Sequence, residues 1–172
     1  MTYWHLSHRA DPRAIPIADR HYNRQHVGAP QFVPPGRCLV LATADYDALW
    51  VTSYPFARYV RHAWAGAWIC SCFRNESDYR ASDLILEAIA ITRSVWTVPP
   101  IGMVTFVDTS KVRPTMVHGK PQWGWTYRKV GFREVGLTKG GLLALQLLPE
   151  QMPDPVTLIG HPLSLWDSEV PA

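Results

Sequence analysis

The sequence predicts a mixed α/β fold: a single domain on a central mixed sheet of about six or seven strands, flanked by helices. Three observations carry that expectation. Short apolar runs bounded by turn residues fill positions 38–73. One strongly periodic segment, 82–96, reads as a helix. After it comes the run 101–108, almost wholly apolar, as strands buried in the middle of a sheet are.

Taken in order, residues 11–26 read as one or two short helices interrupted by Pro16, followed by a Pro-rich loop. Residues 38–51 form a hairpin turning around Asp45 to Asp47. The stretch WAGAWICSCF, 64–73, is a third β run, whose Cys70 and Cys72 are expected on opposite sides of the sheet as buried free thiols. In the helix, Ile85, Ala88, Ile89, Thr92 and Trp96 recur at three- and four-residue spacing and define one buried face. Ser82 is the expected N-cap, Asp83 suits the positive end of the dipole, and Pro99 and Pro100 stop the helix. A basic, weakly patterned segment, 109–122, reads as a mobile loop. Then come a short helix in 123–132, ended by Gly131, and a hairpin over 133–148 turning at Gly140 and Gly141. The domain is therefore expected over 1–148, with 149–172 a Pro-rich tail packed on its surface.

The 172 residues are 47% apolar and 18% charged, which describes a globular chain, not a disordered one. Eight Trp, seven Tyr and five Phe can build base-stacking platforms as well as a core. The net charge of +3 is compatible with a nucleic-acid partner without demanding one, although Arg9, Arg13, Arg20, Arg24 and Arg37 crowd the first third with few acids between them. Three cysteines make no disulfide framework and fit a reducing compartment. The first residues carry no apolar leader and no run approaches membrane-spanning length, so a soluble cytoplasmic protein is expected, with no membrane partner.

One stretch stands out chemically. DRHYNRQHVGAP, 19–30, gathers two histidines, a tyrosine, two arginines and an aspartate. Adjacent residues on a helix point about 100° apart, so His21 and Tyr22 serve one pocket only if the helix ends there, with Gly28 the expected stop. Arg74 stands at the carboxyl end of a strand beside a helix start, where open α/β sheets bind ligands, and could hold a carboxylate or phosphate bidentately. An ion pair with Glu76 or Asp78 is its structural alternative. Asp108 occupies the equivalent strand end, where it could equally cap the following turn. Lys111, Arg113, His118 and Lys120, with Trp123 and Trp125 beyond them, could grip phosphates and stack a base, or simply be solvated. His21, Tyr22 and Asp108 would suit a non-haem iron as N/O ligands, or act as hydrogen-bonded acid–base residues.

Tyr127-Arg128-Lys129-Val130-Gly131-Phe132, between a buried strand and a hairpin, resembles the Tyr-x-Lys-x-Gly-Phe signature of the GNAT superfamily of N-acyltransferases. That resemblance spans roughly residues 65–148 and implies a GNAT-like catalytic domain. Ordinary members carry a Gly-rich turn for the coenzyme A pyrophosphate before the main helix, whereas RNESDYRASD, 74–83, holds no glycine. Phosphates there would depend on Arg74, Arg80 and the start of the Ser82 helix. The His-Tyr pair, the strand-end arginine and the degenerate loop together resemble the phage Mom DNA-modification proteins. The resemblance implies carbamoylmethylation of the N6 amine of adenine in phage DNA, protecting it from restriction nucleases, on a base flipped out of double-stranded DNA. It implies His21 and Tyr22 at the reaction centre, Arg74 and Ser82 against the donor, and Asp108 with His21 and Tyr22 at iron. It also implies Tyr127 as the acid for a departing thiolate. The donor is left between acetyl-CoA and a glycine-derived unit, and a homodimer is admitted. Two alternatives stand beside this reading: a conventional N-acyltransferase on a small amine or protein, and a binding module that keeps the fold without catalysis.

Overall fold

A computed structural model describes residues 2–158. Its main sheet has seven strands: β1 (His5–Leu6), β2 (Arg37–Ala42), β3 (Ala48–Tyr54), β4 (Trp68–Asn75), β5 (Met103–Val107), β8 (Arg133–Leu137) and β9 (Leu143–Leu147). Two further strands, β6 (Thr115–Val117) and β7 (Lys120–Gln122), form a separate ribbon. The helices are α1 (Ile15–Asp19), α2 (Ala81–Val95) and α3 (Trp125–Lys129). The order across the sheet is β1-β2-β3-β4-β5-β9-β8, and only the β4–β5 pair is parallel. The mixed α/β class and single domain expected from the sequence are thus observed.

Both faces of the sheet are covered, which is why β5 reads as a continuous apolar run. On one face α2 lays Leu84, Ile85, Ala88 and Ile89 against Trp50, Trp68 and Leu145, all fully buried. Burying each such leucine or isoleucine contributes about 2 kcal/mol. On the other face α1 covers Val40, Leu49, Val51 and Cys72, while Trp64 covers Ala67, Val104 and Ala144. Thr92, polar on the buried face of α2, donates to the Ala88 carbonyl (2.7 Å) and lies 3.2 Å from the Thr52 hydroxyl.

Several local expectations are corrected. Pro16 does not interrupt α1; it sits in its first turn, where its missing N–H costs nothing. Ser82 is not the N-cap: the helix starts at Ala81, with Arg80 in extended conformation ahead of it and no side-chain cap. The 109–122 segment is not an irregular loop. His118 (φ 50°) and Gly119 (φ 76°) form the left-handed pair of a two-residue hairpin turn joining β6 to β7. The described part of the tail, to residue 158, lies against α2, with Met152 buried, Arg93 Nη1 donating to the Pro153 carbonyl (2.6 Å) and the Val156 N–H to the Ala90 carbonyl (3.0 Å). The remainder of that tail lies outside the described residues.

Cys70 and Cys72 do face opposite sides, but plain alternation would put them on the same side. The register explains it: Thr52 pairs with Cys70 and Val51 with Cys72, so Ser71 is an extra, bulged residue. Burial pushes both thiols up to about 12, which leaves them protonated and unreactive.

The approach to α1 is fixed by Asp11, a carboxylate only 1% exposed. It accepts from Ser7 Oγ (2.8 Å), Tyr46 Oη (2.8 Å), and the Arg13 backbone N–H (3.0 Å) and Nε (3.3 Å). Burial raises its pKa, but the hydrogen bonds from Ser7, Arg13 and Tyr46 outweigh that and hold it below the ordinary 3.8. The stabilisation is therefore complete above pH 3.8 and fades as pH falls below it. Asp11→Asn is expected to cost about 3 kcal/mol in denaturant unfolding and to remove this acid dependence.

Candidate functional site

β4 and β5 pair only from Trp68/Met103 to Cys70/Thr105, although β4 runs on to Asn75 and β5 to Val107. Beyond Cys70 the two parallel strands part, and a cavity of about 320 Å³ opens between their carboxyl ends. That volume suits a small ligand. The bulge at Ser71 increases local twist in β4 at the point where pairing ends.

The turn after α1 lies across this opening. α1 stops at Asp19, and the His21 N–H still reaches the Ala18 carbonyl (3.0 Å) before the chain leaves the helix. Helix termination at this place is what lets neighbouring side chains line one cavity. Gly28 is not the stop, however; it turns nine residues later at φ 81°, its N–H held by the Asp19 carboxylate (3.0 and 3.1 Å). Tyr22 Oη donates to the Phe106 carbonyl (3.1 Å), and Asn23 Nδ2 donates to the Ser71 carbonyl (2.8 Å). Two side chains thus occupy edges that strand pairing has vacated. The His21 and Tyr22 rings stack at 4.6 Å and 27°. His21 Nδ1 lies 2.5 Å from Asn23 Oδ1. Burial lowers the imidazole pKa below 6.5, the nearby Arg74 lowers it further, and bonds to Asn23 and the Phe73 backbone act the other way. The ring is neutral at pH 7.

The polar stretch 19–30 therefore divides. His21, Tyr22 and Asn23 line the cavity, while Asp19, Arg20 and Arg24 are scaffold. Arg24, with its side chain only 10% exposed, pairs with Asp19 (2.8 Å) and donates to the Gln31 and Ala29 carbonyls. Arg20 forks onto Glu76, Nη2 to Oε1 at 2.7 Å. The other arginines of the first third are engaged too. Arg9 donates to the Gly36 carbonyl, Arg13 pairs with Asp11, and Arg37 stacks over Tyr54 at 4.2 Å. Each has a partner within the chain, while the side chains of Arg13 and Arg20 remain largely open to solvent.

Arg74 and Tyr127 also line the cavity; Ser82 and Asp108 do not. Arg74 takes up the ion pair foreseen as its alternative, Nε to Glu76 Oε2 at 2.5 Å, and its Nη1 donates to the Arg20 carbonyl at 2.9 Å. The two arginines hold the Glu76 carboxyl down at about 2. Tyr127 Oη lies 3.5 Å from Cys70 Sγ, and burial, then Cys70, raises the phenol well above 10.0, so it stays protonated. Asp108 accepts from the Ser110 N–H (3.0 Å) and Oγ (2.5 Å), capping its own turn. Ser82 sits in the first turn of α2, away from the cavity lining.

Neither implied cofactor finds in the cavity lining the full set of residues the resemblance assigned to it, since Asp108 and Ser82 lie outside it. For iron, His21, Tyr22 and Asp108 each direct a polar atom to a different local partner. Among the described residues no group of three His, Cys, Asp or Glu side chains could hold a metal ion. For coenzyme A, three amides of the β4–α2 connection are already engaged. Glu76 N–H donates to the Asp47 carbonyl (2.7 Å), Ser77 N–H to Asn75 Oδ1 (2.9 Å) and Tyr79 N–H to Ser77 Oγ (3.2 Å). A phosphate cradle needs those groups open.

No family model, curated protein or solved structure matches the chain. The sequence also did not single out Asn23 and Ser71, which line the cavity, or a further segment, 58–62, that reaches its wall only through His62 packing on Phe106. The segment 48–75 contains no Asp or Glu, a signal readable from the sequence. In it, Arg58 lies over the Tyr59 ring at 4.8 Å, Tyr59 is 69% exposed, and Arg61 is exposed. The His62 ring packs on Phe106, whose carbonyl accepts the Tyr22 hydroxyl, at 5.0 Å. No helix among the described residues is long and apolar enough to cross a membrane.

Proposed function

We propose that the chain is a DNA-modifying transferase that attaches a small carbon unit, of the carbamoylmethyl type, to the N6 amine of adenine. The amine is out of reach inside a duplex, so the base rotates out of the stack into the cavity between β4 and β5. One observation carries the reading: His21, Tyr22, Arg74 and Tyr127, distant in the chain, line one cavity at the split between parallel strands. That convergence is unlike the open, sparsely lined cleft of a binding module.

In this reading the neutral His21 imidazole takes the proton that the aryl amine loses as it attacks. As the N6–carbon bond forms, the bond from that carbon to the donor's leaving group breaks, and the protonated Tyr127 phenol gives the leaving atom a proton or hydrogen bond. Phe73, Phe106 and Trp125, also in the lining, supply apolar surface for a purine. Arg58, Tyr59 and Arg61 supply the phosphate and stacking contacts that the first-third arginines do not. The engaged amides of Glu76, Ser77 and Tyr79 favour a small donor over a coenzyme A thioester.

The test is expression of the chain beside a plasmid, followed by mass spectrometry of the nucleosides. A heavier deoxyadenosine is expected. Unmodified deoxyadenosine together with turnover of thioesters on small amines would overturn the reading.

A further inference from the structure

The cavity lining carries Arg74, Arg113 and His21 but no aspartate or glutamate, so its charge is one-sided. The two arginines differ in what already neutralises them. Arg74 has Glu76 on its Nε and the Arg20 carbonyl on its Nη1. Arg113, in the connection between β5 and β6, makes no hydrogen bond or ion pair among the described residues. The acids nearest it along the chain do not serve it: Asp108 is taken by Ser110 and, at 3.9 Å, Lys111. A guanidinium has five donors in a fixed fork. Arg113 is exposed, so water meets that fork in the free chain, and no carboxylate of the cavity wall competes with an incoming oxyanion for it.

We infer that Arg113, not Arg74, anchors an oxyanion carried by the ligand of this cavity. Arg74 then acts as a positioning residue that ties the His21 turn to the end of β4 through Glu76 and the Arg20 carbonyl. The oxyanion has two possible sources, the carboxylate of a glycine-like donor or the phosphate of the flipped nucleotide. Both satisfy the same bidentate geometry. The inference rests on the reading of this cavity as the reaction site, but it does not need the acceptor to be DNA.

Calorimetric titration of the full chain with two matched probe pairs tests it. One pair is N-acetylglycine against N-acetylglycinamide; the other is deoxyadenosine 5′-monophosphate against deoxyadenosine. The charged member of one pair is expected to bind about tenfold more tightly or better. The pair that shows the preference identifies the source. Arg113→Gln should remove that preference, Arg113→Lys should restore part of it, and the thermal midpoint should not move, since the side chain holds nothing in place. Equal binding of charged and neutral probes, or no binding by either pair, overturns the inference. So does a preference that survives Arg113→Gln and disappears in Arg74→Gln. If plasmid deoxyadenosine is unmodified while the N-acetylglycine preference depends on Arg113, the DNA reading fails and the anion anchor stands.

Discussion

Gly102→Ala is expected to destabilise the fold by more than about 4 kcal/mol. Gly102 enters β5 at φ 68°, its N–H donating to the Pro99 carbonyl (2.9 Å) and its carbonyl accepting from the Trp68 N–H (3.0 Å). A Cβ there would lie 2.0 Å from the Leu147 carbonyl oxygen and 3.1 Å from the Leu148 Cα. Both are backbone atoms in or beside β9, so no side-chain rotation relieves the overlap. The left-handed conformation alone costs about 1–2 kcal/mol. Separation of β5 from β9 raises the total beyond about 4 kcal/mol, a large share of the ~5–15 kcal/mol that holds a domain. A large fall in the midpoint of the urea transition, followed by near-ultraviolet circular dichroism, measures it. Gly119→Ala provides the contrast: φ is 76°, but the space around the new Cβ is open, so only the ~1 kcal/mol of handedness is expected. Equal losses in the two variants would contradict the steric account.

His21→Ala is expected to lower the rate of deoxyadenosine modification by about 10²- to 10⁴-fold, the usual worth of a positioned proton acceptor. The pH profile gives an independent check. Burial first, then Arg74, depresses the imidazole pKa, so the proton-accepting form is populated at lower pH than for a free histidine. The wild-type rate should therefore rise with pH through a midpoint below 6.5 and level off near neutrality. Arg74→Gln should move that midpoint upward, because it removes one cause of the depression. A rate that falls between pH 6 and 7 would mean that the imidazolium is the active form and would refute the assignment.

The sheet and α2 were legible because their signals are local. The three- and four-residue spacing of Ile85, Ala88, Ile89 and Thr92 reports one buried face whatever the helix packs against. The apolar run of β5 likewise reports cover on both faces. β1, two residues long, is set by pairing with β2 and leaves no pattern. The β6–β7 ribbon was hidden by Pro121 and by exposed side chains; its one local mark was the His118-Gly119 turn. At the site, the sequence marked His21, Tyr22, Arg74 and Tyr127, and these residues share a cavity. It could not tell Arg74 from Arg113. Which guanidinium is already neutralised depends on Glu76 and on Arg20, which the packing of α1 on β3 and β4 brings to the end of β4. The bulge at Ser71 is a matter of register between strands, and no property of Ser71 itself announces it.

The outer margin at β8 has its own consequence. Its register shifts between Glu134 and Gly136, leaving Val135 unpaired, with Arg133 and Glu134 exposed beside it. A neighbouring molecule that tried to add its backbone here would lose the ladder after two residues and meet charge. The irregular register and the charges thus blunt this margin as a template for added strands, although Val135 and Leu137 are exposed along it.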